Sequence, residues 1–396
     1  MLKLEESQLD KVTEVFYRVL NGKKTSPIEL LPDTPNNEYA QMVSYINRFI
    51  TEYNAFAEFM YSLSRGELDY TPPAGRMQVL QSFKSLQGSL RHLTWKTQQI
   101  ADGDFSQRVD FMGDFSVAFN SMTKQLEQAF TELEHANNEL KEKNREITDN
   151  IHYAQNIQRA MLPTAEIIHQ TFGDNIFIIY NPHSIVSGDF YWLVRTQGEI
   201  LIAVADCTGH GVSGAFLTMI GNTLLNKIVI EDQCINPAEI LGQLHLGVRK
   251  QLQQESGEIK DGMDVGLCRI NIKQHKVTFA GANRPLYHVS KQQLQQIKGD
   301  RKSIGGRQKE AQRVFTNQEF IFESGDTIYL SSDGMADQPN PARKTFGTKQ
   351  LKTLLSEVAS YPAAEQEQRI RNHFLTWKDD TPQRDDITLL GIQFFK

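Results

Sequence analysis

The sequence predicts an α+β chain, an all-α N-terminal part followed by a unit of two antiparallel sheets covered by helices. Three observations predict it. Apolar residues recur at helical spacing through the first quarter and every seven residues from Leu126. Short β-rich runs take over from about residue 172. Between those runs the helical stretches come in consecutive pairs instead of alternating with strands, which argues against a βαβ array.

At 396 residues the chain exceeds one ordinary core, and a prior of roughly 100–200 residues per domain gives two or three units. An apolar fraction of 39% and a charged fraction of 23% are those of a globular protein. The net charge of −6 argues against a nucleic-acid partner. The start, MLKLEESQLDKV, has no basic segment leading into an apolar run. The longest apolar runs noted, IFIIY and ILIAVA, are strand-length, against the roughly 18–20 residues of a spanning helix. The expectation is a cytoplasmic chain without a transmembrane segment. Cys207, Cys234 and Cys268 are far apart and odd in number, so neither a zinc site nor a disulfide framework is expected from them.

Residues 1–60 read as helices. Val12, Val15, Phe16 and Leu20 share one face, Pro27, Pro32 and Pro35 interrupt the pattern, and a second helix spans about 37–63. Over 61–125 an internal repeat appears at an offset of 36–37 residues: Gly66 matches Gly103, and Phe83 and Leu86 match Phe119 and Met122. Each copy reads as helix, Gly-acidic connector, helix. Over 126–163 Leu126, Leu133, Leu140, Ile147, Ala154 and Met161 recur every seven residues, with Ala129, Ala136, Lys143, Asn150 and Ile157 three positions on. This is a coiled-coil seam in which Lys143 and Asn150 trade stability for register; the alternative is a long helix packed on its own domain. Pro163 ends it. Residues 164–396 carry the strands NIFIIY, ILIAVAD, DVGLCRIN, KVTFAGA, PLYHVS, EFIFES, TIYLSSD and DITLLGIQFF. Helices lie between the second and third, and at roughly 347–359 and 362–376.

The acidic residues of this last part are unusual in placement. Asp189 (VSGDFYW), Asp206 (AVADCTGHG), Asp333 (IYLSSDG), and Asp385 and Asp386 (RDDITLLG) each lie where an apolar run meets a turn. A carboxylate half-buried at such a junction needs neutralising, and a shared Mg²⁺ or Mn²⁺ does this with the oxygen ligands it prefers. Two such ions would activate a shared water and clamp the oxygens of an in-line phosphoryl displacement. Gly188, Gly209, Gly211 and Gly334 let the backbone approach closely. Taken alone, the residues leave turn-capping aspartates as the competing reading.

In order, IQRAMLP, VSGDFYW, ADCTGHGVSGAF, DGMDVGLC, AGANRPLY, SIGG, YLSSDGMADQ and RDDIT resemble the SpoIIE-type branch of the PPM (protein phosphatase 2C-like) family over about residues 150–396. The resemblance implies an antiparallel β-sandwich flanked by helices and a metal-dependent serine/threonine protein phosphatase using two Mn²⁺ or Mg²⁺ ions. It implies that Asp206 bridges both metals, that the Cys207 carbonyl completes one site, and that Asp333 and Asp385 bind the second metal. Asp189 is expected to hold metal-bound water, Asp386 to support the site, and Asp264 to mark a weaker third metal. His210 is either the general acid to the leaving alkoxide or a loop-orienting hydrogen-bond partner. The stretch NPHSIVSGD lacks the arginine that grips phosphate in the better-known branch, and AGANRP departs from AGH-x-P. Arg284 is either a phosphate contact or a surface or structural arginine. The repeat at 61–125 is similar to tandem HAMP signalling modules, which implies a parallel homodimer. Substrates of this branch are often phosphorylated STAS-type bacterial regulators, and such a protein is the expected partner. The other readings are a phosphatase fold that only binds, and a histidine kinase phosphorylated at His152. Intact carboxylates argue against the first, and the absence of a glycine-lidded ATP box argues against the second.

Overall fold

The computed structural model describes residues 6–31, 34–308, 310 and 312–395. It divides into two units, Met1–Lys141 and Glu142–Lys396.

The first unit holds α1 (Glu6–Leu20), α2 (Glu38–Ser64), α3 (Gln78–Ala101) and the start of α4 (Asp114–Met161). Asn37 caps α2, its side chain accepting from Ala40 N at 3.1 Å, so the helix starts where an orphan donor finds a partner. Val15, Ile28, Tyr39, Val43, Ile46 and Ile50 form one core. The segment between α1 and α2 is pinned by Asn47, whose amide accepts from Ile28 N at 2.6 Å and donates to Ile28 O at 2.9 Å. Asn120 does the same for Val109, at 2.8 and 2.7 Å. The two connectors of the repeat begin alike: Gly66 and Gly103 have φ of 79° and 98°, a left-handed turn off a helix end that glycine allows without strain. Along α4, Leu126, Leu133, Leu140 and Ile147 are exposed.

The second unit opens with the last turns of α4. It continues through α5 (Ala165–Phe172), β1 (Ile176–Asn181), β2 (Asp189–Thr196), β3 (Glu199–Cys207) and α6 (Gly211–Asn226). A π-helical turn (Lys227–Glu231) and α7 (Pro237–Gln251) follow. Then come β4 (Gly262–Asn271), β5 (Lys276–Ala282), β6 (Leu286–Ser290), β7 (Gln293–Ile297), β8 (Ile304–Gly305), β9 (Gln318–Ile321) and β10 (Thr327–Ser331). The chain closes with α8 (Gly334–Asp337), α9 (Gly347–Val358), α10 (Ala363–Lys378) and β11 (Ile387–Gln393). One sheet has the order β1-β11-β10-β6-β7; the other has β2-β3-β4-β5-β9, with β8 paired to β4. Every strand ladder is antiparallel.

Three apolar layers explain why the central strands read as continuous apolar runs instead of alternating ones. Leu193, Ile202, Val204, Phe279, Ile328, Leu390 and their neighbours fill the space between the sheets. Phe190, Trp192, Ala203, Val265 and Leu267 pack outward under α6 and α7. Tyr329, Ile387 and Leu389 pack outward under α9 and α10. Each large side chain so buried contributes about 1.5–3 kcal/mol before entropy is counted.

The structure adds elements the sequence reading lacked. The run DFYWLVRT is the strand β2, buried on both faces, so no alternation announces it. The stretch Gly211–Glu231 is long and apolar enough to cross a membrane, which corrects the view that apolar runs are only strand-length. Half of it is buried, and its own Leu217, Leu225, Ile228 and Val229 belong to the core under α6 and α7.

Candidate active site

Strand register places three aspartates in a row. Asp189 of β2 pairs with Asp206 of β3, and Asp206 with Asp264 of β4. Their parity along the strands is that of Leu193, Val204 and Cys268, so all three face the space between the sheets at its end. The other sheet supplies Asp333, two residues past β10, and the pair Asp385 and Asp386, just ahead of β11. Cys207 follows Asp206 with opposite parity; its thiol lies in the outer core, and burial pushes its pKa well up. Only its backbone carbonyl is therefore suited to the role the resemblance implies.

Arg284 sits among these groups. Its Nη2 lies 2.7 Å from Asp206 Oδ2, 2.6 Å from Asp333 Oδ2 and 3.5 Å from Asp264 Oδ2. Arg284 is not a surface arginine: its side chain is 13% exposed, and it stands as the counter-cation of the cluster. The β5–β6 turn delivers it. Asn283 takes φ 57°, and Gly281 and Gly299 leave room for the Arg284 carbonyl, which a Cβ on either would meet at 2.3 or 2.5 Å.

Burial raises the Asp206 pKa above the carboxylate range, and Asp189 adds to the rise while Arg284 opposes it. Burial also raises Asp189 and Asp385. Asp189 Oδ2 is buried with no hydrogen-bond partner, and so is Arg284 Nε. Among the described residues no three acidic, histidine or cysteine groups close into a finished ligand cage; the guanidinium nitrogen occupies the point where they converge. An orphaned buried carboxylate oxygen, a row of aspartates and a cation already held between them form a donor set that fits hard divalent cations.

Asp386 has a different local role. It is 3% exposed, and its two oxygens accept from His183 N at 2.7 Å and Gly188 N at 2.6 Å. It thereby fixes the loop leading into Asp189. The close packing around it needs glycines: a Cβ on Gly334 would meet Asp386 O at 2.0 Å, and one on Gly214 would meet Gly188 Cα at 2.7 Å. From the other side Gln158 of α4 reads the same loop, accepting from Ser187 N at 3.1 Å and donating to Ser187 O at 2.7 Å and Thr218 Oγ1 at 2.9 Å. Gln155 donates to Ile185 O at 2.5 Å.

His210 is exposed ahead of α6, its ring centroid 4.7 Å from that of His183. His210 is also near enough to oppose the rise in the Asp385 pKa. It makes no side-chain cap to α6. His183, Gln158 and Ser187 carry no role in the sequence analysis, although each stands in a motif stretch: Gln158 in IQRAMLP, and His183 and Ser187 in NPHSIVSGD. His152, the candidate phosphoacceptor, is an exposed residue of α4.

The sequence profile of the Stage II sporulation protein E (SpoIIE) family matches residues 196–395. The phosphoserine phosphatase RsbU of Bacillus subtilis (strain 168) is 23% identical over 254 residues, 63% of this chain and 71% of that protein. Among solved structures, the SiaA-PP2C domain of Pseudomonas aeruginosa has 33% identity and a TM-score of 0.58, over 63% of this chain and 98% of that domain. The PP2C phosphatase domain with a fragment of the regulatory domain of SpoIIE from Bacillus subtilis has 15% identity and a TM-score of 0.46, over 56% and 63% of the two chains.

Proposed function

From the premise that this chain belongs to the SpoIIE family of PPM-type protein serine/threonine phosphatases, we propose that it hydrolyses a phosphoserine or phosphothreonine on a bacterial signalling regulator, using Mn²⁺ or Mg²⁺. The observation that carries the metal reading is the register row Asp189, Asp206 and Asp264 facing Asp333 and Asp385 across the open end of the sandwich. Asp206 would be shared by two ions, with the Cys207 carbonyl on one, Asp333 and Asp385 on the other, Asp189 through water and Asp264 at a weaker third position. Bound there, the ions supply activation of the attacking water and neutralisation of the phosphoryl oxygens.

The chain's own groups do the rest. Asp386 and Gln158 hold the 183–188 loop from opposite sides, which keeps Asp189 beside Asp206. His210, on the exposed rim, donates a proton to the leaving serine or threonine oxygen, a transfer worth roughly 10²–10⁴-fold. Arg284 keeps the carboxylates from repelling one another. A small phosphorylated STAS-type protein is the substrate that the family resemblance favours.

The helical part would act as a HAMP-like, parallel coiled-coil dimer in the cytoplasm that controls the active site. Two observations support this: the matched left-handed glycines Gly66 and Gly103, and the exposed heptad side chains of Leu126, Leu133, Leu140 and Ile147. The decisive experiment is phosphate release from a phosphoserine protein with and without chelator. Mn²⁺ should restore activity more readily than Ca²⁺, and Asp206→Ala should abolish it. Full activity in excess chelator would overturn the metal mechanism.

A further inference from the structure

Beside the carboxylate cluster lies a cavity of about 560 Å³ with an unusual charge. Lys260, Arg301, Lys302 and Arg307 line it, and among the described residues none of the four has an ion-pair partner. The carboxylate in the lining, Glu310, is already bonded to Arg313 at 2.6 Å. The cavity thus concentrates uncompensated positive charge in a chain whose net charge is −6.

The cavity is also built. Arg313, with a side chain 7% exposed, donates to Ser303 O at 2.6 Å, Gly305 O at 3.1 Å and Arg307 O at 2.9 Å. Arg249 donates to Gly306 O at 2.7 Å, and Gly305 N donates to His245 Nδ1 at 3.0 Å. The wall is therefore fixed by buried polar bonds before anything binds. It also touches the active site. Asn283 Nδ2 lies 3.0 Å from Asp264 Oδ1 and 2.8 Å from Ser303 Oγ, so one side chain spans cluster and cavity. Thr208, next to Cys207, forms another part of the lining.

We propose that this cavity receives an acidic segment flanking the phosphorylated residue of the protein substrate. The inference rests on the phosphatase reading and specifies its substrate class. An extended chain advances about 3.3 Å per residue, so residues two or three positions from a phosphoserine at the cluster reach the cavity. Four basic side chains lining a recess favour carboxylates, and among the described residues no aromatic side chain lines the cavity to stack a base.

The test uses the full chain with Mn²⁺, a phosphoserine peptide with three acidic flanking residues, the same peptide with alanine flanks, and a small aryl phosphate as reference. Wild type should prefer the acidic peptide through KM, and raising salt from about 50 to about 500 mM should erase the preference. In Arg301→Glu/Arg307→Glu, the ratio of acidic-peptide to aryl-phosphate kcat/KM should fall about tenfold or more, the scale of losing several exposed charge contacts. Lys260→Glu should act in the same direction. Fluorescence anisotropy of the labelled acidic peptide, phosphorylated and not, reads binding without turnover. Loss of that binding in the variants, with no phosphate released from any substrate by wild type, would fault the phosphatase reading and keep the cavity's ligand. Phosphate release with equal KM for acidic and alanine peptides would overturn the cavity proposal. So would inorganic phosphate or an oligonucleotide that binds wild type but not Arg301→Glu/Arg307→Glu and leaves the labelled acidic peptide bound.

Discussion

Arg284 holds three carboxylates with one nitrogen, two on the strands β3 and β4 and one just past β10, and a divalent cation would compete for the same oxygens. In Arg284→Ala the aspartates lose their counter-charge. The melting free energy measured in chelator should drop by about 1–3 kcal/mol, below the figure for a fully buried pair because Asp333 is partly exposed. Mn²⁺ affinity by calorimetry should rise in the same variant. An unchanged melt in chelator would mean the guanidinium does not stabilise the cluster. The aspartates also dictate a pH dependence. Burial raises Asp189 and Asp206, so the folded chain holds their protons more tightly than the unfolded chain does. Stability in chelator should therefore fall as pH rises from the ordinary carboxylate range through neutrality. With Mn²⁺ bound the trend should reverse, because protons and cation compete; melts from about pH 5 to about pH 8 in both conditions check the sign.

Among the elements, α4 carries the least expected contact. Gln158, buried at 5% exposure, treats Ser187 as a neighbouring strand would, by reading both its N–H and its C=O. Asn47 with Ile28 and Asn120 with Val109 repeat the device, so an amide on a helix anchoring an extended segment recurs in this chain. Here the segment leads directly into the Asp189 strand. Gln158→Leu should cost about 1–3 kcal/mol by leaving buried backbone groups unpaired. It should also weaken Mn²⁺ binding and turnover by loosening the loop. A variant that melts earlier yet binds Mn²⁺ as wild type does would reduce Gln158 to a packing contact. The strand β2 itself was invisible to alternation because both its faces are covered. By contrast α9 and α10 were legible almost to the residue, since amphipathic spacing and flanking breakers mark them locally.

For the whole molecule, the proposed control by the helical part depends on the proposed dimer. Leu133→Lys/Leu140→Lys places charge in the heptad seam and should convert a dimer to a monomer by light scattering at micromolar concentration. Asn150→Ile or Lys143→Leu should lock one seam arrangement and change the rate without touching a metal ligand, and removing 1–125 should change the rate on a protein substrate. A monomeric wild type, or unchanged rates in all these variants, would end the switch proposal. The sequence by itself determined where most of the helices and strands lie, that residues 126–163 carry a seven-residue repeat, and that Asp189, Asp206, Asp333, Asp385 and Asp386 stand where an apolar run meets a turn. Such properties are local, because periodicity reports the burial of each segment's own face. Only the tertiary structure decided that Asp189, Asp206 and Asp264 share one row, that Arg284 meets Asp206 and Asp333 from 78 and 49 residues away, and that Gln158 grips Ser187. Those facts depend on strand register and on the packing of distant segments, and a shift of one residue in either would turn the same side chains to the opposite face.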